Sequence, residues 1–139
     1  MQQETLYKYF KTGLFIYLAT IKRNCPRVRC MRLIFHNQKL WTCTFSSSPK
    51  MNQIRANNNI EFCLPIWNEK KIIGSIRGLG KANIVKDLAI KEKFFQLNPS
   101  FKKRWKAHTD PEFALLHLVI SKFSFQNPED GKFYEIRVE

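Results

Sequence analysis

Acidic residues are scarce in this sequence. The 139 residues include 11 Asp and Glu against 24 Lys and Arg, which gives a formal net charge of +13. No two acids are placed as a catalytic carboxylate pair, so enzyme chemistry here would have to come from a cofactor. A strongly positive field attracts anions, whether nucleic acid, acidic membrane or phosphorylated small molecules.

Metal-ligand and nucleophile patterns are also lacking. The chain has no Cys-x-x-Cys pair, and its three histidines are scattered, so neither a metal site nor a Cys-His or Ser-His-Asp site is indicated. It has neither a P-loop nor a Gly-x-Gly-x-x-Gly turn, which argues against nucleotide binding of those types. We expect free, buried or half-buried thiols in a reducing cytosol at Cys25, Cys30, Cys43 and Cys63.

Long hydrophobic runs are missing as well. The longest early run, Leu14 to Ile21, is too short to span a bilayer. Lys22-Arg23-Asn24 follows it in place of a small-residue cleavage site, so no signal peptide is predicted. We expect a cytoplasmic protein without a membrane partner. Its 44% hydrophobic and 14% aromatic content suffices for one domain over residues 1–139.

Extended segments separated by turn-forming residues predict a mainly β protein with short helices. Strands are predicted at residues 14–22, 27–35, 39–45, 60–66, 71–85, 116–125 and 132–138. Helical segments are predicted at 3–12, 49–57 and 87–97, with a further turn after 98. Hairpin spacing over residues 14–45 leaves no room for crossover helices, so the pattern favours a closed or nearly closed antiparallel barrel of six or seven strands.

The second predicted strand carries arginine on an otherwise apolar face. Arg27, Arg29, Met31, Leu33 and Phe35 alternate onto one side of it. If the last three face the core, Arg29 lies at its rim and needs an anion. The alternatives are that both arginines extend into solvent or that a bulge shifts the register.

Hydroxyls and a lysine surround the predicted start of the second helix. The segment Thr44–Lys50 reads Thr-Phe-Ser-Ser-Ser-Pro-Lys, with Ser48 suited to the N-cap and Pro49 to the first helical position. Taken alone, this is an ordinary cap followed by a surface lysine. The preceding hairpin would bring a phosphate-binding set to one end of the barrel, namely Arg29, Thr44, Ser48 and Lys50.

Bases alternate with aromatic residues in residues 101–106, Phe-Lys-Lys-Arg-Trp-Lys. One interpretation is a nucleic-acid contact. The other, which we favour, is an amphipathic helix that buries Phe101 and Trp105 and leaves the bases in water.

An ordered set of short segments carries a family resemblance. The segments are Leu18–Thr20, Pro26–Met31, Leu40–Thr44, Ser48–Lys50, Asn57–Glu61 and Gly80–Ala82. In this order they resemble the pyridoxamine 5′-phosphate oxidase-like family, the FMN-binding split barrels that include general stress proteins and nitroimidazole-resistance proteins. The resemblance extends from about Leu14 to Val85.

The resemblance implies a six-stranded antiparallel split barrel that forms a homodimer, with FMN at the subunit interface. Arg29 and Lys50 would contact the FMN phosphate with Thr44 and Ser48, while the backbone from residue 30 to 33 would follow the isoalloxazine ring. Ser75 matches a position where the oxidases carry a flavin-contacting glutamine. The implied cofactor-binding residues are Arg29, Cys30, Met31, Arg32, Leu33, Cys43, Thr44, Ser48, Lys50 and Ser75.

The implied activity is an FMN-dependent oxidoreductase acting on an unknown small-molecule substrate, with no catalytic residue assigned. The chain ends at Phe133–Val138 without the tryptophan- and arginine-bearing segment of true pyridoxamine phosphate oxidases, so B6 vitamers are not expected as substrates. The alternatives are a non-catalytic carrier of flavin, haem or deazaflavin and, less favoured, a basic nucleic-acid-binding module.

Overall fold

The computed structural model describes residues 1–138. The strands are β1 (Phe15–Lys22), β2 (Cys25–Arg32), β3 (Ile34–His36), β4 (Lys39–Phe45), β5 (Asn59–Asn68), β6 (Lys71–Ile84), β7 (Phe113–Gln126) and β8 (Phe133–Arg137). The α-helices are α1 (Pro49–Ala56) and α2 (Leu88–Leu97), and 3-10 helices span Gln3–Tyr9 and Pro99–Lys103. None of these helices is long and apolar enough to cross a membrane.

All strands belong to one antiparallel sheet that curls into a split barrel. The order is β2-β1-β5-β6-β7-β4-β3, and β8 pairs with the C-terminal half of β7. Leu33 connects β2 directly to β3, so the chain itself joins the two ends of this path. The Leu33 amide donates to the carbonyl of Leu14 at 2.7 Å, and Gly13 donates to Leu33 at 2.9 Å.

The mainly β class and the split barrel are confirmed, but the strand count is larger than predicted. The predicted strand 27–35 is divided at Leu33 into β2 and β3, which makes eight strands in place of six or seven. The division has a physical cause, because β2 pairs with β1 while β3 turns to pair with β4.

The turn between β1 and β2 is tighter than predicted. Arg23 and Asn24 form it, with φ values of 49° and 65°, and Pro26 lies inside β2 instead of in the turn. Proline is tolerated there because β2 is an edge strand, where its missing N–H leaves no ladder bond unmade.

Two hydrophobic clusters flank the sheet. The barrel interior contains inward-facing strand residues together with side chains from α1 and the first 3-10 helix, including Leu6, Phe10, Leu18, Met31, Met51, Ile54 and Phe62. The second cluster, mostly aromatic, includes Trp41, Phe94, Phe95, Trp105 and Phe113. Helix α1 packs against β1, which brings its N-terminal turns beside the rim of the barrel.

Two glycines in β6 leave no room for a side chain. A Cβ at Gly78 would lie 2.3 Å from Cε1 of Phe62, and one at Gly80 would lie 2.0 Å from the carbonyl oxygen of Val119. The pairing of β6 with β7 shifts register between Leu79 and Gly80, which is a β-bulge.

The four cysteines are free. Cys43 and Cys63 are half-buried as expected, but Cys25 and Cys30 are exposed, so the prediction of buried thiols is wrong for these two. Cys30 lies on the outward face of the edge strand β2, and Cys25 lies at the first position of that strand, beside the exposed turn at Arg23 and Asn24.

Candidate anion-binding site

Arg29 lies at the rim of the barrel, as the strand pattern predicts. Met31 and Leu33 on the same face are buried, and Arg29 is half-buried. Its Nη1 donates to Thr20 Oγ1 at 2.8 Å and to the Leu18 carbonyl at 3.1 Å. Its Nη2 donates to Oε1 of an α1 glutamine, Gln53, at 2.9 Å. Burial lowers the pKa of the guanidinium, because desolvation disfavours the charged form.

Lys50 lies in the first turn of α1 and extends toward the same rim. Its Nζ donates to Thr44 Oγ1 at 2.9 Å, and the hydroxyls of Thr44 and Ser48 are 3.4 Å apart. Burial lowers the pKa of Lys50, and the positive charges of Arg29 and Arg104 lower it further. The structure therefore brings Arg29, Thr44, Ser48 and Lys50 to one end of the barrel, which we call the phosphate group.

The cations of this group have no carboxylate partner among residues 1–138. The ion pairs found there are Lys8–Glu129, Glu61–Arg77 and Lys122–Glu135. Arg29 and Lys50 instead meet hydroxyl, amide and carbonyl oxygens, which satisfy hydrogen bonds without cancelling charge. Neighbouring cations without a counter-ion attract a multiply charged anion.

Ser48 occupies the N-cap position of α1, with φ −66° and ψ 149°, and Pro49 follows it as predicted. Its side chain, however, makes no capping hydrogen bond to the helix backbone. The hydroxyl lies near Thr44 Oγ1 instead, on the side of the phosphate group.

The other residues that the family resemblance implies differ in which of their atoms a ligand can contact. Met31 and Leu33 bury their side chains in the core, so only their backbone is available. Cys30 and Arg32 point outward, and the Arg32 guanidinium lies 4.7 Å from the ring centroid of Phe15. Ser75 lies on β6, three strands from β2, so one chain does not bring it to the phosphate group.

A cavity of about 440 Å³ lies between the β2–β3 junction and the second 3-10 helix, and we call it the junction cavity. Its lining includes Arg32, Leu33, Cys43, Phe101, Lys103 and Arg104. Burial raises the pKa of the Cys43 thiol to about 12, although the positive charges of Arg104 and Lys91 oppose the shift. The thiol is therefore neutral and is not a ready nucleophile.

Sequence reasoning missed three residues of this region: Thr20, Gln53 and Arg104. Gln53 follows Lys50 by three residues, so the helical period contained a signal that both face the same side. Thr20 and Arg104 reach the site only through the fold, from β1 and from the segment after the second 3-10 helix.

The basic segment 101–106 buries Trp105 and half-buries Phe101, as the amphipathic interpretation predicts, but it is not one helix, because the 3-10 helix ends at Lys103. Trp105 is 2% exposed, and its ring meets that of Phe101 at 5.5 Å in a T-shaped contact. Lys102, Lys103 and Lys106 are exposed. Because Trp105 is buried, it offers no free ring face on which a nucleobase could stack.

No family model matches the chain, and no curated protein matches it. Solved structures do. A NimC/NimA family protein from Clostridium acetobutylicum aligns with a TM-score of 0.79 and 21% identity over 97% of this chain and 91% of that one. General Stress Protein 26 from Bacillus anthracis aligns at 0.75 and 22% over 97% of both chains. A putative pyridoxamine 5′-phosphate oxidase from Listeria innocua aligns at 0.71 and 18% over 89% and 94%.

A heme-binding protein from Mycobacterium smegmatis also aligns, with a TM-score of 0.73 and 9% identity over 90% of this chain and 53% of that one. At these identities the likeness shows the fold alone. The family resemblance of the sequence is thus confirmed at the level of fold: the chain has the split-barrel fold of NimC/NimA, general stress protein 26 and pyridoxamine 5′-phosphate oxidase family proteins.

Proposed function

We propose that this protein binds FMN and acts as a flavin-dependent oxidoreductase on a small molecule. The observation that carries the proposal is the pair Arg29 and Lys50, brought together at the barrel rim with two hydroxyls and no carboxylate. A phosphate dianion fits this group, because it balances both charges and accepts from several donors at once.

The residues present divide the task of holding FMN. Arg29 and Lys50 would bind the phosphate, and the hydroxyls of Thr44 and Ser48 would donate to its oxygens. Bound FMN would supply hydride or electron transfer, which no side-chain constellation of this chain provides. The protein would anchor and orient the cofactor and shield it from water.

The free edge of β2 supports the expected position of the flavin ring. This strand pairs with β1 only, so its other edge has no partner strand in the described chain, although the Arg32 carbonyl accepts from Thr42 Oγ1 at 2.8 Å. Such an edge is a row of donors and acceptors that a heterocycle with polar atoms along its rim can pair with. The backbone of Cys30–Leu33 lies along this edge and leads away from Arg29.

A second copy of the chain is part of the proposal. The outward faces of β1 and β2 expose Phe15, Tyr17 and Val28, at 54%, 44% and 68% respectively. Adjacent exposed apolar side chains of this size mark an interaction surface. Ser75 occupies an outward position of the same sheet, paired with Pro65, so in a homodimer it would approach the flavin from the partner. A homodimer would also enclose the cofactor from both sides.

A haem carrier is the second candidate, favoured by the fold of the Mycobacterium smegmatis protein. The carboxylates of haem would suit the same cations, but haem iron also needs a protein side chain as a ligand, and histidine is a common one. His36 packs against Phe94, and His117 stacks on Trp41 at 4.2 Å, both in the aromatic cluster. Neither histidine adjoins the phosphate group, so we place the flavin first.

The test begins with the visible absorption spectrum of the purified protein, followed by titration with FMN and, separately, with haemin. Saturable binding of FMN, and reduction of the bound cofactor by NAD(P)H with turnover of an added acceptor, would support the flavoenzyme. Flavin binding without turnover would support a carrier. A colourless protein that ignores micromolar FMN contradicts the proposal, and a Soret band with haemin would replace it with haem binding.

A further inference from the structure

The barrel wall has a gap along β7, between the two strands that pair with its two halves. Strand β4 pairs with β7 up to Leu118, and β8 pairs with β7 from Lys122 onward. Within residues 1–138, the backbone hydrogen bond at this gap runs from the Val138 amide to the Ser121 carbonyl at 3.0 Å. The sheet is therefore open beside residues 119–121, where β4 and β8 separate.

A cavity of about 460 Å³ lies at this gap, and we call it the gap cavity. Four aromatic rings line it, those of Tyr7, Phe10, Phe35 and Phe123. The Phe35 ring centroid lies 5.5 Å from those of both Tyr7 and Phe10. The centroids of Phe10 and Phe123 are 6.1 Å apart. All four side chains pack in or against the core of the barrel, so they form a firm wall that suits a flat, apolar ligand body.

The rim of the gap cavity is polar and includes no acidic side chain of the described residues. Lys39, at the first position of β4, takes part in none of the ion pairs found in residues 1–138. Burial lowers the pKa of His117, and the positive charge of Lys39 lowers it further. The His117 ring, which stacks on Trp41 at 4.2 Å, is therefore neutral near pH 7 and keeps one N–H donor. The side-chain amides of Asn37 and Gln38 complete the rim.

We propose that the gap cavity is a binding site for a small aromatic carboxylate. The ring system of the ligand would lie against Phe10 and Phe35. Its carboxylate would meet Lys39 and accept a hydrogen bond from the side-chain amide of Asn37. A monoanion suits this rim, because one uncompensated lysine balances one negative charge, whereas a phosphate dianion would bring two. The cavity volume also agrees, since small-molecule pockets measure roughly 300–1,000 Å³.

The gap cavity is separate from the phosphate group. Lys39 begins β4, and Thr44 lies five residues later near the other end of the same strand. A strand rises about 3.3 Å per residue, so roughly 16 Å separates the two positions. None of the cofactor-binding residues that the family resemblance implies lines the gap cavity. The proposal therefore does not depend on flavin binding.

The test is an NMR titration of the protein with 2-naphthoate, with 2-naphthamide as its neutral counterpart. Naphthoate should bind about tenfold more tightly than naphthamide, because the neutral probe cannot form an ion pair with Lys39. Naphthoate should shift the backbone amides of Tyr7, Lys39 and Val119, which line the cavity, and leave that of Thr44 in place. Saturating FMN should not displace it.

Two variants test the charge at the rim. Lys39→Gln should remove most of the preference for naphthoate, and Lys71→Gln should not. Lys71 is the matched control, because it is also exposed at the first position of a strand and lies outside the cavity lining. Asn37→Asp should weaken naphthoate binding about tenfold and leave naphthamide binding unchanged, since aspartate tolerates the φ of 50° at this turn and adds a repelling charge.

Equal binding of naphthoate and naphthamide, equal effects of the two lysine variants, or no naphthoate binding at millimolar concentration would overturn the site. So would displacement by FMN or a dominant shift at Thr44, because the probe would then occupy the proposed flavin site. Glu139→Gln, which neutralises the acid that follows Val138 in the sequence, should leave the affinity unchanged. A gain of about tenfold in this variant would mean that a carboxylate of the chain itself fills the cavity, and would also overturn the proposal.

Discussion

Arg29 Nη2 donates to Gln53 Oε1 at 2.9 Å, so the half-buried guanidinium meets an amide where a carboxylate would form an ion pair. The amide orients the arginine, and Thr20 supports both side chains through its hydroxyl. Because the amide carries no charge, the positive charge of Arg29 remains available to a ligand. The folded chain therefore tolerates a cation beside Lys50 that its own residues do not neutralise.

Replacing this amide by its acidic isostere should stabilise the apoprotein and weaken FMN binding. In Gln53→Glu the carboxylate would form a charge-assisted hydrogen bond to Arg29, which should raise the free energy of unfolding of the apoprotein by about 1 kcal/mol. The same charge would repel the FMN phosphate and weaken FMN binding by about tenfold or more. Thermal unfolding and FMN titration measure the two effects. Asn52→Asp, on the same helix and exposed, is the control, and an equal loss of FMN affinity there would contradict the local explanation.

The two helix caps should respond differently to alanine. Asp87 caps α2 through hydrogen bonds from the amides of Ala89 and Ile90, so Asp87→Ala should cost about 1 kcal/mol of stability. Ser48 makes no such bond, so Ser48→Ala should cost less than about 0.5 kcal/mol. Ser48→Ala should instead weaken FMN binding severalfold, while Asp87→Ala should leave FMN binding unchanged. Urea unfolding and FMN titration distinguish the two roles, and a large stability loss in Ser48→Ala would refute the assignment.

Cysteine reactivity should follow position in the barrel. Cys25 and Cys30 are exposed on β2, whereas burial raises the pKa of Cys43 to about 12. Iodoacetamide labelling near pH 8 should therefore modify Cys25 and Cys30 at least about a hundredfold faster than Cys43, because the thiolate is the reactive form. Mass spectrometry of timed samples measures the three rates. Labelling of Cys43 at the rate of Cys30 would show that the cavity thiol is more open or more acidic than the structure indicates.

Gly80 should tolerate substitution by alanine less well than its neighbour Leu79. A Cβ there would lie 2.0 Å from the Val119 carbonyl oxygen, a backbone atom that cannot move aside without breaking the β6–β7 ladder. Gly80→Ala should cost about 2–4 kcal/mol in unfolding free energy. Leu79→Ala, at an exposed position of the same bulge, should cost less than about 1 kcal/mol. Equal stabilities of the two variants would mean that the bulge relaxes around the methyl group.

The fold was largely predictable because strand and turn signals in this sequence are local. Asn37 and Gln38 turn the β3–β4 hairpin with positive φ where a turn was predicted, and α2 follows Asp87 where a helix was predicted over residues 87–97. The split at Leu33 was not predictable, because residues 27–35 form one continuous β-favouring run. Only tertiary pairing with β1 on one side and β4 on the other divides it.

The candidate site was predictable in part. Alternation along β2 and the cap signal at Ser48 placed Arg29 and Lys50 at one rim, because both rest on local periodicity. Arg104 lies more than fifty residues beyond Lys50, and nothing in its own segment distinguishes it from the exposed lysines around it. Its approach to the site depends on how the aromatic cluster positions Trp105.

The phosphate preference of the wild-type protein tests the central claim most directly. FMN and riboflavin differ only in the phosphate, so the ratio of their dissociation constants reports the phosphate group alone. We expect FMN to bind about a hundredfold or more tightly than riboflavin, and the ratio to fall toward one in Arg29→Ala/Lys50→Ala. It should be unchanged in the control Arg27→Ala/Arg55→Ala, which removes two exposed arginines nearby. Equal affinities for FMN and riboflavin in the wild-type protein, or a ratio that survives the loss of Arg29 and Lys50, would contradict the account.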